Sequence, residues 1–216
     1  MKVSLVIPAK GTSERVKNKN LTVINGKTLV RLACEKALMC DEVDNVYLDT
    51  ESEAIIRDVL DLEKNGLCIL KRPKELADNE IGANEMMMYA LHQVDETDVL
   101  CQTFCTSPLI THTTIDDCIS KFRKSNNDSF LTVIKTQEYF WFDGKPLNYS
   151  LENVPNSFDI EPYYMETHGL YGITTKALLK HKTRIGSDPL LLPISKIESI
   201  DINETDDVEI VSRFLR

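Results

Sequence analysis

The sequence predicts a layered α/β fold on a largely parallel sheet, and three observations carry that prediction. Short apolar runs rich in Val, Ile and Leu recur along the chain. Between them, apolar residues return at helical spacing. The length of 216 residues suits one sizeable domain over 1–216 and is short for two. Hydrophobic residues at 42% and charged residues at 27% fit a globular chain and exclude disorder.

Residues 3–7 form a nearly continuous apolar run closed by Pro8, the pattern of a buried strand. A polar loop over 10–20 follows. Leu29, Leu32, Ala33, Ala37 and Cys40 then mark a helix, and 45–48 a second strand. Thr50 with Glu53 reads as a capping box for a helix whose apolar face holds Ile55, Ile56, Val59 and Leu60. A third strand is expected over 67–70. The loop 72–79 leads into a helix ending near Gln93, where Met86, Met87 and Met88 read as packing. Next come a strand over 99–104, a helix with the stripe Ile115, Cys118, Ile119 and Phe122, and a strand over 129–134. Over 139–159 the pattern changes to aromatics, an Asp143-Gly144 turn and prolines, which predicts a hairpin-like excursion from the core. Late strands are expected over 170–174 and 197–202, then a closing helix over 208–215.

Net charge is −9 without a basic tract, which argues against a nucleic-acid-binding face and leaves room for a local phosphate pocket. The six cysteines are scattered without zinc spacing and read as reduced and mostly buried. The first apolar run is too short for a signal peptide, and no stretch approaches a membrane span, so a cytoplasmic location is expected.

Ligands of parallel sheets bind beyond the carboxyl ends of the strands. Polar segments fall there at 10–20, 106–111 and 201–207. The first holds four cations (Lys10, Arg15, Lys17, Lys19). A triphosphate needs backbone N–H groups that approach closely, here Gly11, Thr12 and Ser13, and cations such as Lys10 and Lys19. The loop lacks the Gly-Lys-Ser/Thr of a Walker motif. A bare cation cluster reads first as a solvated basic loop; its position after the first strand shifts the balance modestly towards phosphate.

Five segments in order resemble the acylneuraminate cytidylyltransferases, the CMP-sialic acid synthetases. They are Ile7-Pro8-Ala9-Lys10-Gly11-Thr12-Ser13 with Lys19-Asn20 and Asn25-Gly26-Lys27; Asp49-Thr50-Glu51-Ser52-Glu53; Arg72-Pro73-Lys74-Glu75-Leu76-Ala77; Thr106-Ser107-Pro108-Leu109; and Ser199-Ile200-Asp201-Ile202-Asn203. The resemblance implies the three-layer nucleotide-diphospho-sugar transferase fold, with a protruding segment of about 137–168 that packs on a second subunit of a homodimer. It implies transfer of CMP from CTP to an acidic sugar-like acceptor, with release of pyrophosphate and Mg²⁺ as cofactor. By it, Lys10 stands where the family usually has a triphosphate-binding arginine, and Lys19 and Asn20 match a Lys-Asn pair that contacts phosphate and nucleotide. Ala9, Gly11, Ser13, Arg15, Arg72 and Asn79 fall on the nucleotide side. Thr106, Ser107, Tyr164 and His168 fall on the acceptor side. Lys10, Lys19 and Asp201 are the implied catalytic set, and Asp201 and Asn203 occupy the metal positions.

Mg²⁺ keeps several waters, so one or two carboxylates suffice to hold it. Asp201 and Asn203 are two apart on an expected strand and would share a face. Asn203 has a second reading, as cap of the last helix with Asp206 in the first turn. Several positions depart from the resembling family. Glu14 replaces a common lysine, Phe104-Cys105 replaces Gln-Pro, and Ile110 replaces an arginine. The acceptor-side changes suggest an acceptor other than sialic acid: another nonulosonic acid, a 3-deoxy sugar acid or a phosphonate. Glu14 and Asn203 also admit a nucleotide-binding, non-catalytic relative. A glycosyltransferase would need an Asp-x-Asp-type motif, which Asp49-Thr50-Glu51 only approximates.

Overall fold

The computed structural model describes residues 1–12, 18–77 and 81–215. Its frame is a seven-stranded sheet in the order β11-β7-β10-β6-β1-β4-β5. Those strands are β1 (Val3–Pro8), β4 (Asn45–Thr50), β5 (Leu67–Lys71), β6 (Val99–Gln102), β7 (Ser129–Thr136), β10 (Tyr163–Thr174) and β11 (Pro189–Pro193). Every neighbouring pair is parallel except the two that β10 makes. All six residues of β1 are buried, which explains its unbroken apolar run.

Alternation along β1 divides the core. Val3, Leu5 and Ile7 pack with α1 (Leu29–Ala37), α2 (Glu53–Val59), α4 (His112–Arg123) and α6 (Thr205–Phe214). Val6 points oppositely, into a cluster with Tyr47, Leu100 and Ile173 beneath α3 (Ala83–Leu91) and α5 (Thr175–His181). Helices therefore cover both faces, giving the expected three layers.

Local differences from the sequence reading have identifiable causes. Thr50 does not cap α2, because it completes the β4 ladder opposite Lys71. Ser52 is the cap, accepting from the Ile55 amide at 3.4 Å, and Glu53 pairs with Lys71 instead. Residues 197–202 form no strand. A turn spans 196–199 and the chain continues without regular structure, with the Ile202 amide donating to the Thr106 carbonyl at 2.8 Å. Ile202 is fully buried by this crossing, which produces the apolar spacing without a ladder. The last strand is β11 instead, bounded by Pro189 and Pro193 as an edge position permits. Strand β6 stops at Gln102, and β10 begins seven residues before the predicted 170 because Tyr163–Glu166 pair with the extension of β7.

Two short hairpins lie outside the main sheet: β2 (Val23–Ile24) with β3 (Lys27–Thr28), and β8 (Trp141–Phe142) with β9 (Lys145–Pro146). The second turns at Asp143 and Gly144, with φ of 49° and 72°, as the Asp-Gly pair predicts.

Candidate active site

Pro8 delivers the chain to the carboxyl end of β1, and the Ala9 amide continues the parallel pairing onto the Asp49 carbonyl at 2.9 Å. The Gly11 amide donates to Glu51 Oε1 at 2.6 Å. A Cβ on Gly11 would lie 2.8 Å from the Ser52 Cβ, so this close approach of backbone to the head of α2 requires glycine. Asn20 Nδ2 donates to the Lys10 carbonyl at 2.9 Å, tying together the two ends of the first loop. Lys19 Nζ donates to the Ile202 carbonyl at 2.7 Å, across 183 residues of sequence. The amino-terminal turn and the 201–203 segment therefore meet. Ser13, Glu14, Arg15 and Asn79 lie outside the described residues.

Asp201 is the focus of the second half. Its Oδ1 accepts from Ser107 Oγ at 3.4 Å, its Oδ2 accepts from Asn203 Nδ2 at 2.8 Å, and His168 Nδ1 lies 3.6 Å from Oδ2. Thr106 contributes through its carbonyl, which holds Ile202. The capping alternative for Asn203 is corrected. Glu204 is the N-cap of α6, Asp207 accepts from the Asn203 and Glu204 amides at 2.8 Å each, and the Asn203 side chain turns to Asp201. Among the described residues, no group of three or more His, Cys, Asp or Glu side chains could cage a metal. One carboxylate with an adjacent amide fits a hydrated Mg²⁺ held mainly by substrate phosphates.

Arg72 is only 3% exposed. Its Nε donates to Asp49 Oδ1 at 3.0 Å and its Nη2 to the Asp49 carbonyl at 2.6 Å. Burial pushes the Asp49 carboxyl up, and Arg72 opposes that shift. In Asp49-Thr50-Glu51, Asp49 turns Oδ1 to Arg72 and Glu51 turns Oε1 to the Gly11 amide. Tyr164 lies opposite Lys135 in the outer half of β10 and is 46% exposed, whereas His168 sits within the irregularity between Glu166 and Tyr171.

Three features escaped the sequence reading. Lys36 donates from Nζ to the Ser107 and Pro108 carbonyls at 3.3 Å each, bracing the turn that touches Asp201. Desolvation pulls its ammonium down to about 8. A signal existed: Lys36 falls seven residues after Leu29 and three after Ala33, on the flank of the apolar stripe. Gln102 is 1% exposed, and among the described residues its Oε1 has no partner. Glu166, Tyr171 and Arg184 form a charged cluster beyond His168.

A family model described as cytidylyltransferase matches residues 4–171. The chain is 25% identical over 210 residues to a 3-deoxy-manno-octulosonate cytidylyltransferase of Chlamydia abortus, covering 91% of this chain and 78% of the relative. It is 25% identical over 223 residues to a pseudaminic acid cytidylyltransferase of Campylobacter jejuni, covering 98% and 92%. Among solved structures, a CMP:2-keto-3-deoxy-manno-octonic acid synthetase complexed with CTP superposes with a TM-score of 0.71 at 16% identity, covering 99% of this chain and 98% of the other. A 4-diphosphocytidyl-2C-methyl-D-erythritol synthase from Anaerococcus prevotii gives 0.72 at 13% identity, covering 99% and 95%. At such identities these two likenesses establish the shared fold alone.

Proposed function

The chain belongs to the cytidylyltransferase family, and from that premise we propose that it transfers CMP from CTP to an acidic sugar-like acceptor and releases pyrophosphate. The acceptor class is a nonulosonic acid or a 3-deoxy sugar acid, the classes named for the relatives. The single observation that carries the reading is the contact from Lys19 to the Ile202 carbonyl. It joins a glycine-bearing turn suited to phosphate with a carboxylate suited to Mg²⁺.

In this reading the Gly11 turn and Lys10 receive the triphosphate, while Lys19 stands between it and Asp201 and offsets charge that develops on the departing pyrophosphate. Asp201, with Asn203 beside it, would hold Mg²⁺, which neutralises phosphate charge when bound. Ser107 and His168 orient Asp201 from the acceptor side. Arg72 serves the nucleotide side by fixing the ends of β4 and β5 through Asp49. The hydroxyl of the acceptor attacks the α-phosphorus in line and releases its proton to solvent, and the bond from the α-phosphorus to its bridging oxygen breaks, that oxygen leaving with pyrophosphate. We also propose that the chain works as a homodimer through the excursion, where Trp141, Phe142 and Phe158 are 55%, 75% and 73% exposed.

The test is pyrophosphate release from CTP and Mg²⁺ with a panel containing 3-deoxy-manno-octulosonic acid, pseudaminic acid and N-acetylneuraminic acid. Asp201→Ala and Lys19→Ala are each expected to lower turnover by about 10²-fold or more with circular dichroism unchanged. CTP binding without turnover on any acceptor would instead mark a non-catalytic relative.

A further inference from the structure

One ring beyond His168 lies a cation that the proposed reaction does not use. Arg184 belongs to the strap 182–188 between α5 and β11. Its guanidinium carbon stands 3.9 Å from the centroid of the Tyr171 ring and 5.9 Å from that of Phe104. Nη2 donates to Glu166 Oε1 at 3.2 Å and to the Tyr171 hydroxyl at 3.1 Å. The Tyr171 hydroxyl donates in turn to the same Glu166 oxygen at 2.6 Å. The Arg184 amide donates to Asn84 Oδ1 at the head of α3 at 2.9 Å. Strand, helix and strap thus fix the plane of one guanidinium.

A merely structural ion pair would leave less over. Among the described residues nothing accepts from Arg184 Nε or Nη1. The Glu166 side chain is 44% exposed. Burial pushes the Tyr171 hydroxyl far up, so it remains a neutral donor to Glu166. Stacking and pinning cost a mobile arginine most of its rotamer freedom, and here the orientation is settled in advance of any ligand. The cluster also adjoins the reaction centre. Phe104 packs edge-on against both Tyr171 and His168, with centroids 6.3 Å and 6.0 Å apart, and His168 reaches Asp201.

We infer that Arg184 and Glu166 read the end of the acceptor remote from its reacting hydroxyl. Arg184 donates to a hydroxyl or acylamino oxygen, and Glu166 accepts from a hydroxyl or amide N–H. The inference rests on the transferase reading above. In the 2-keto sugar acids the carboxylate sits on the carbon that bears the reacting hydroxyl, so both stay near Asp201. The rest of the sugar then runs past His168 and the Phe104 ring, and the next polar groups it meets are Arg184 and Glu166. A site built to hydrogen-bond a substrate group discriminates strongly against analogues that lack it, because its own polar atoms are left unpaired.

The test is steady-state kinetics of the wild type, Arg184→Gln, Arg184→Lys and Glu166→Gln with CTP, Mg²⁺ and two acceptors. 3-Deoxy-manno-octulosonic acid presents a hydroxyl tail, and pseudaminic acid presents acylamino groups. Arg184→Gln is expected to raise the acceptor KM by about 10-fold, leave the CTP KM within about 2-fold, and shift the kcat/KM ratio between the acceptors by about 10-fold. Glu166→Gln, at an exposed side chain, should move the same ratio, while Arg184→Lys should restore part of the loss. A uniform fall for both acceptors, or an equal rise in the CTP KM, overturns the inference and leaves the transferase reading intact. No pyrophosphate from the wild type with either acceptor or with N-acetylneuraminic acid sinks the transferase reading, and this inference with it.

Discussion

Burying a charge is costly unless geometry compensates, and two residues near the candidate site show the two outcomes. Arg72 and Asp49 are both almost wholly buried and answer each other, although among the described residues Asp49 Oδ2 has no partner. Arg72→Ala would strand the Asp49 carboxylate and is expected to cost about 3–5 kcal/mol. Urea midpoints would show this, and a second change, Asp49→Asn, should recover part of the loss. A loss no larger in Arg72→Ala than at a surface arginine would mean that the pair carries little. Among the described residues, the Lys36 ammonium meets two carbonyls and forms no ion pair, with Glu198 acting on it only from a distance. Its folded pKa is lowered by desolvation from 10.5 to about 8, so the unfolded chain binds the extra proton between those values. Stability of the wild type therefore rises through that window, relative to a chain without the lysine. The stability of Lys36→Met minus that of the wild type should fall between pH 7 and pH 10. A constant difference in denaturant midpoints would refute the desolvation account.

At the scale of elements, the strap before β11 shows how a loop positions an edge strand. The Asp128 carboxylate accepts from the Ser187 and Asp188 amides at 2.9 and 3.1 Å and from the Ser187 hydroxyl at 2.9 Å. Although burial opposes it, these hydrogen bonds and that from Ser129 bring Asp128 down to about 2. The contact depends on Gly186, where a Cβ would fall 2.2 Å from Asp128 Oδ1. Gly186→Ala is expected to detach the strap, speed amide exchange at Leu190, Leu191 and Leu192 and lower the melting temperature. Unchanged exchange there would show that β11 is held by β7 alone. The same region explains why one strand was misplaced. Leu190, Leu191 and Leu192 sit between Pro189 and Pro193, whose ring-locked backbones disguise a strand, whereas Ile197, Ile200 and Ile202 recur within six residues free of proline. Only pairing partners decide between them: β7 offers a free edge to the first, while Thr106 offers a single carbonyl to the second.

For the whole molecule, the exposed apolar surface is concentrated over residues 139–165, in the excursion and the start of β10, rather than on the helical layers. Phe142 and Phe158 stand 75% and 73% exposed, and Leu151 65%. In the homodimer proposed above, a second copy of the chain would cover this patch. Light scattering is expected to return twice the mass of one chain, and Phe142→Asp to shift the population towards monomer. A monomeric wild type at micromolar concentration would end the dimer proposal. Among the described residues no helix is long and apolar enough to cross a membrane.

By itself the sequence determined the α/β class, the order of most strands and helices, and the glycine turn, because burial periodicity and steric tolerance are local properties written in neighbouring residues. It also marked Asp201 and Lys19 as worth watching. Only the tertiary structure decided that these two segments meet, that Arg72 faces inward to Asp49, and that Lys36 and Arg184 stand beside the site. Those are contacts between residues far apart in the chain, and which partner a buried charge finds depends on how the strands are ordered in space, a choice that local pattern does not encode.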